Sequence, residues 1–253
     1  MAIGSSQWMY NSGDYEIEQS LRIDSAANAY LDQTIVTTGN RRTATFSAWI
    51  KIADLKAGVA DDSFIWSVGG TGAGSMAILL KTYNDTDTFT INAQDQSGNQ
   101  TGYVTPGIYR DTSAWYHILL AYDNTNSTVS ERVIFYVNGE RVISSDASKY
   151  PQLNYDSNMN LAGQKATLGK LESIGRHFGG YYSEVNFIDG QALTPSSFGE
   201  TGKYGEWKPL EYKGTYGTNG FYLPFKQDYA VEGFSTVTWK GNSASSAYIG
   251  GVG

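Results

Sequence analysis

The 253-residue sequence predicts an all-β fold of two packed antiparallel sheets, followed by an extension rich in glycine and tyrosine. Three observations carry this. Short apolar runs alternate with polar residues at the two-residue period of a strand, whose successive side chains point to opposite faces. Turn residues separate the runs, among them Asn138-Gly139 and the stretch Gly69-Gly70-Thr71-Gly72-Ala73-Gly74. Charged residues are only 17% of the chain, against 29 glycines and 19 tyrosines, a profile of short strands and tight turns rather than of long amphipathic helices.

The first strand is expected at Ser20–Ile23. In Ala44–Ile52, Phe46, Ala48, Ile50 and Ile52 share one face, and Thr45, Ser47, Trp49 and Lys51 the other. Shorter strands are expected at Phe64–Val68, Met76–Lys81 and Thr88–Ala93. The run from Trp115 to Asp123 is apolar on both sides, as in a strand covered on both faces. Val133, Phe135 and Val137 then alternate with Arg132, Ile134 and Tyr136, and Glu140–Ile143 follows Asn138-Gly139. Asn-Gly supplies the two positive-φ positions of a type I′ turn, so these runs form a hairpin. Ala166–Gly169 and Tyr181–Ile188 follow, and Thr194-Pro195-Ser196-Ser197-Phe198 reads as one helical turn with Pro195 at its first position. Phe46, Ile50, Leu119, Val133, Phe135, Val185 and Phe187 are expected to lie buried between the two sheets.

After Phe198 the texture changes. Only Gly220–Phe225 and Phe234–Trp239 read as strands, and Tyr204, Trp207, Tyr212, Tyr216, Tyr222 and Trp239 stand among balanced charge, the composition of an interface. Residues 1–198 are therefore expected to form the sandwich. Residues 199–253 are expected to dock on a neighbouring subunit, and the glycine-rich close suggests a linker into further chain.

Composition excludes some classes of function. The net charge is −7, and no basic face for nucleic acid is evident. No stretch approaches the roughly 18 apolar residues that a membrane-inserted helix needs. The chain has no cysteine, hence no disulfide, cysteine zinc site or thiol nucleophile. The opening Met-Ala-Ile-Gly-Ser-Ser-Gln-Trp lacks the basic and apolar regions of a signal peptide.

Four ordered segments carry a resemblance: Phe46-Ser-Ala-Trp49-Ile-Lys51, Trp115-Tyr-His117-Ile-Leu-Leu, Phe135-Tyr-Val-Asn138-Gly139, and Phe178-Gly-Gly-Tyr-Tyr-Ser-Glu184-Val-Asn-Phe-Ile-Asp189-Gly-Gln-Ala-Leu193-Thr-Pro195. Together they resemble the laminin G/concanavalin A-like superfamily, which implies a jelly-roll sandwich. The last segment, continued through Phe198-Gly-Glu and Tyr216-Gly-Thr-Asn-Gly220-Phe-Tyr-Leu223, is similar to concanavalin A-like domains in structural proteins of tailed bacteriophages. That resemblance implies a non-enzymatic virion protein in a tail fibre, spike or head decoration, assembled in the host cytoplasm and exposed on the particle. Its partners would be other virion proteins, its own copies (a trimer, by analogy with fibres) and host-surface glycans. A glycan-degrading enzyme of the same fold and a bacterial surface lectin are the alternatives.

Hydrolytic members of the superfamily use a Glu-x-Asp-x-x-Glu strand, whose alternate carboxylates face one sugar. No such strand occurs here; Glu16 and Glu18 share a face but lack the third carboxylate, and no catalytic residue is assigned. His117 alternates with Trp115 and Leu119 as a packed strand residue, His177 is open to any role, and the glycine run lacks the Lys-Ser/Thr ending of a phosphate loop. The resemblance also implies that Ca²⁺ can bind at a sheet rim. The candidate oxygen clusters Asp61/Asp62, Asp85/Asp87 and Asp123/Asn124/Asn126 read equally as turns capped by their own side chains, and no metal residue is assigned. For carbohydrate, Tyr103 and Tyr109 flank the Pro106-Gly107 turn, where aromatic rings lacking a packing partner can meet the C–H face of a pyranose.

Overall fold

The computed structural model describes residues 15–55, 63–70, 74–81, 88–94, 100–144, 150–171, 174–225, 238–240 and 249–251. In chain order the strands are β1 (Gln19–Ile23), β2 (Tyr30–Thr34), β3 (Thr43–Ile52), β4 (Ser63–Val68), β5 (Met76–Lys81), β6 (Thr88–Gln94), β7 (Gln100–Val104), β8 (Trp115–Asp123), β9 (Val133–Val137) and β10 (Glu140–Val142). There follow β11 (Lys165–Leu168), β12 (Lys170–Leu171), β13 (Ile174–His177), β14 (Gly180–Asp189), β15 (Gly199–Thr201), β16 (Trp207–Pro209), β17 (Phe221–Leu223), β18 (Thr238–Lys240) and β19 (Ile249–Gly251). The first sheet runs β10-β9-β8-β3-β14-β1-β19, with β17 also on β14, and the second runs β18-β2-β11-β4-β5-β6-β7. All pairings are antiparallel, giving the two-sheet sandwich.

The alternation in β3 and β14 decides what fills the space between the sheets. Phe46, Ile50, Val133, Phe135, Val185 and Phe187 join one buried cluster with Trp66 and Ile78 of the second sheet. Phe46 stacks on Trp66 (centroids 5.0 Å), Trp66 lies 5.7 Å from Phe187, and Phe187 stacks on Phe221 at 5.6 Å. The hydroxyl of the fully buried Tyr182 donates to the Ile65 carbonyl at 2.8 Å and so ties one sheet to the other. The β9–β10 hairpin has the conformation its turn residues dictate, with Asn138 at φ 49° and Gly139 at φ 82°. Pro195–Ser197 forms a single 3-10 turn.

Leu119 is also fully buried, but not between the sheets. It points to the outer face of the first sheet, where it clusters with Ala121, Ile188 and Phe198. This corrects the expectation for Leu119 and explains why β8 is apolar on both sides: its outer face has a cover. The cover is the chain after Phe198. Phe198 stacks on Tyr212 (centroids 5.0 Å), Tyr212 meets Tyr216 edge-on at 5.2 Å, and the Tyr216 hydroxyl donates to Asn186 Oδ1 at 2.9 Å.

The described residues after Phe198 therefore do not stand outside the sandwich. Phe221, Tyr222 and Leu223 pair with Phe187, Asn186 and Val185, and Thr238–Lys240 pairs with β2. The expected segregation at residue 198 is corrected for a physical reason. Gly220–Phe225 and Phe234–Trp239 are legible as strands, but a strand's period does not show which sheet it joins, and aromatic residues that cover a sheet have the same composition as residues that cover a neighbour.

Two features of β14 arrange what lies around it. Asp189 accepts hydrogen bonds from the Asn40 N–H (2.8 Å), Asn160 Nδ2 (2.9 Å) and the Asn219 N–H (3.0 Å), tying three loops to one strand end; burial pushes its pKa up against these bonds. Upstream, the β14–β3 register slips by one residue between Ser183 and Asn186, where Glu184 takes φ 48°. At this bulge the neighbour of β14 changes from β1 to β17. The chain before β1 is thereby displaced from β14.

Candidate functional site

The site is built on the outer face of the first sheet. Trp49 of β3 and His117 of β8 are register partners, and their rings lie 5.2 Å apart. The β15–β16 hairpin lays Trp207 over His117, stacked at 5.9 Å and 28°. Trp207 Nε1 lies 3.0 Å from His117 Nδ1. An indole N–H can only donate, so Nδ1 is the unprotonated nitrogen; Nε2 carries the hydrogen and donates it to Ser47 Oγ at 2.9 Å. Burial lowers the His117 pKa to about 3. In this tautomer His117 cannot accept the Ser47 proton, so the pair is not arranged as a nucleophile and its base.

Two glycines make the position of Trp207 possible. A Cβ on Gly139 would lie 2.5 Å from the Trp207 ring, and one on Gly199 would lie 2.4 Å from it. Neither position has room for a side chain while the indole stays in place.

Trp49, Trp115 and Trp207, with Tyr15, Ile17 and Pro209, line an open groove of about 400 Å³. Glu16 and Lys208 supply its charged groups. Trp115 is half-buried, its ring edge-on to Tyr181 at 6.4 Å. Trp49 is 8% exposed, and its buried Nε1 finds no hydrogen-bond partner among the described residues. Tyr15 belongs to the segment that leaves β14 at the bulge, and Glu184 holds it there. The Glu184 carboxylate is 6% exposed and accepts from the hydroxyls of Tyr15 (2.7 Å) and Tyr222 (2.6 Å), which themselves lie 2.9 Å apart. Burial, first among the causes, raises the pKa of both tyrosines, so both stay protonated donors well above neutral pH. Broad aromatic faces with a few polar groups at the margins suit a ligand that has apolar C–H faces and hydroxyl edges.

The sequence candidates lie elsewhere. Tyr103 is a core residue, 7% exposed, with its hydroxyl donating to the Val142 carbonyl. Tyr109 is half-buried, 4.4 Å from the Phe89 ring and 5.6 Å from that of Tyr116. Both rings have packing partners, which removes the premise on which they were chosen. Of the interface set, Trp207, Tyr212, Tyr216 and Tyr222 make the intramolecular contacts described above, Trp239 lies in β18, and Tyr204 is 86% exposed at the tip of the β15–β16 hairpin.

Asp123 Oδ1 accepts from the Thr125 N–H (3.0 Å) and hydroxyl (2.6 Å), and Asn126 Oδ1 accepts from the Thr128 N–H at 2.9 Å: these side chains cap their own turns. Asp61/Asp62 and Asp85/Asp87 lie outside the described residues. Among the described residues no group of three His, Asp or Glu is placed to hold a metal ion. Glu16 and Glu18 are exposed just before β1, and His177 is buried in β13 near Tyr30. The groove tryptophans were missed as a site. Trp49 is visible as an outward position of its strand, whereas Trp115 shares the face of Leu119, which was expected inward; only the cross-strand register and the fold of the C-terminal hairpin bring the three tryptophans together.

A search of curated proteins found no match. Among solved structures the chain is similar to a heptameric pentraxin from Limulus polyphemus described as SAP-like (17% identity over 72% of this chain and 80% of that one, TM-score 0.47). It is similar to domain 4 of AbnA, a GH43 extracellular arabinanase from Geobacillus stearothermophilus (19% identity over 64% of this chain and 66% of that one, TM-score 0.44). It is also similar to tailspike protein 2 of Escherichia coli O157:H7 bacteriophage CAB120 (14% identity over 70% of this chain and 23% of that one, TM-score 0.48). A sequence profile matches residues 24–197, and over those residues the chain belongs to the concanavalin A-like lectin/glucanases superfamily.

Proposed function

We propose that this protein is a non-enzymatic glycan-binding module of a virion surface, which contacts its glycan through the tryptophan groove and acts in attachment and assembly. The observation that carries the glycan reading is the convergence of Trp49, Trp115 and Trp207 on one open groove. A half-buried indole such as that of Trp115 offers a flat apolar face to the C–H side of a pyranose, which buries apolar area on both partners. The tautomer that Trp207 imposes on His117, and the lack of a Glu-x-Asp-x-x-Glu strand, support a binding role over a hydrolytic one. The resemblance of Phe178–Pro195 to structural proteins of tailed bacteriophages supports a place on the particle, and the exposed Tyr204 supports a contact with a further copy or another virion protein.

The test of the groove is a glycan array followed by calorimetric titration of the best ligands with the intact chain and with Trp115→Ala. Binding by the intact chain and its loss in the variant, with the circular dichroism spectrum unchanged, is the expected result. Unchanged affinity in Trp115→Ala would remove the groove from the reading. Turnover of any bound glycan would remove the non-enzymatic part, and absence of the protein from purified particles by mass spectrometry would remove the virion part.

A further inference from the structure

The strand register sets a second row of side chains beside the groove. Lys51 stands opposite Trp115, Tyr181 opposite Lys51, and Arg22 opposite Tyr181. The four residues therefore form a line across β8, β3, β14 and β1, at the strand spacing of about 4.8 Å. Their neighbours along the strands, Ile50, Ile52, Tyr182, Leu21 and Ile23, belong to the core, so the row faces outward on the same side as Trp49 and His117. The Trp115 and Tyr181 rings come within 6.4 Å of each other, edge to face, across the strand that carries Lys51.

Two cations alternate in this row with two aromatic rings. Arg22 is exposed and Lys51 half-buried, and neither makes an ion pair among the described residues. The carboxylate that feels Lys51 is Asp111. Hydrogen bonds from Ser113 are the first cause of its lowered pKa, and the Lys51 charge is a minor one. In a chain of net charge −7, two uncommitted cations beside an aromatic groove are a local exception to the overall sign. Arginine presents a planar fork that fits a carboxylate or sulfate, and lysine adds a mobile point charge. Arg22 and Lys51 stand two strands apart, about 10 Å at the backbone, with Tyr181 between them. An anionic group above that ring is within reach of both side chains, while the sugar that bears it extends over Trp115 into the groove.

We propose that the site selects acidic glycans, with a pyranose on Trp115 and its carboxylate or sulfate held between Lys51 and Arg22 above Tyr181. This rests on the glycan reading of the groove and adds the ligand class to it. The test titrates the full chain with oligogalacturonate, with a sulfated galactan oligosaccharide and with neutral oligosaccharides of matched length. The same titrations are made on Lys51→Met/Arg22→Met, which keeps the apolar stems, and on Trp115→Ala. One or both acidic ligands are expected to bind about tenfold or more tighter than their neutral counterparts at low salt, with the preference shrinking as salt screens it. The paired methionine variant is expected to bind acidic and neutral ligands alike, with neutral binding unchanged, and Trp115→Ala to weaken all of them. Which acidic ligand wins separates carboxylate from sulfate. Equal binding of acidic and neutral ligands, or a preference that survives in the paired variant, would overturn the acidic assignment and leave the glycan reading standing. Binding of no ligand at all would overturn both.

Discussion

The indole N–H of Trp207 meets Nδ1 of His117 at 3.0 Å, and this bond ties the β15–β16 hairpin to the middle of the first sheet. It also settles which histidine nitrogen carries the hydrogen, and with it the direction of the Ser47 bond. His117 is 1% exposed and keeps a pKa of about 3 because burial disfavours the imidazolium.

That burial gives the protein a pH dependence of definite sign. Above the ordinary histidine value of about 6.5, His117 is neutral in both folded and unfolded chains and contributes no slope. Between there and about 3, the unfolded chain binds a proton that the folded chain refuses. Stability should therefore fall with pH through that window, by an amount on the order of a few kcal/mol. Urea unfolding at a series of pH values from neutral downward measures it, and His117→Gln should flatten that part of the curve.

Gly139 should not tolerate a side chain, for two separable reasons. Its φ of 82° is unfavourable to any L-residue, and a Cβ would meet the Trp207 ring at 2.5 Å. Gly139→Ala is expected to cost about 2–4 kcal/mol. In a Trp207→Ala background the steric part disappears and about 1–2 kcal/mol should remain. A double-mutant cycle in denaturant reads the difference directly.

Removal of residues 199–253 should destroy the fold rather than trim it. The deletion takes β17 from β14, strips Phe221, Leu223 and Phe225 from the main core, and bares Leu119, Ala121 and Ile188 on the outer face. The truncated chain is expected to lack a cooperative thermal transition and to aggregate. A soluble truncation with the melting curve of the intact protein would show that the cover is dispensable.

The Glu184 cluster should matter to both stability and the groove. Tyr15→Phe removes one donor to a buried carboxylate and is expected to cost about 1–3 kcal/mol. Because Tyr15 also lines the groove, glycan affinity should fall in this variant. Tyr182→Phe is the control: it breaks a buried bond to the Ile65 carbonyl away from the groove, so stability should drop while affinity holds. If both variants leave affinity unchanged, Glu184 serves stability alone.

Much of the fold was legible because it is written locally. The two-residue period of β3, β9 and β14 needs only neighbouring residues to be seen, and Asn138-Gly139 carries its own turn conformation. Phe46, Phe135, Val185 and Phe187 could be placed in the core on that basis. The groove could not, because nothing local to Trp49, Trp115 or Trp207 marks them as companions. Their meeting depends on the register of β3 against β8 and on a hairpin from the far end of the chain folding back over His117. The packing of Tyr103 and Tyr109 was hidden for the converse reason: a tyrosine beside a turn reads as exposed until the Phe89 ring and the Val142 carbonyl are brought against the pair from distant strands. Glu184 reads as an ordinary outward strand residue, and only the exchange of β1 for β17 along β14 forces its backbone into the bulge. Sequence by itself determined the longer strands, the Asn138-Gly139 turn and the inward faces of β3, β9 and β14, which follow from short-range sterics and burial. Tertiary structure alone decided which outward faces meet, because that depends on contacts between residues far apart in the chain.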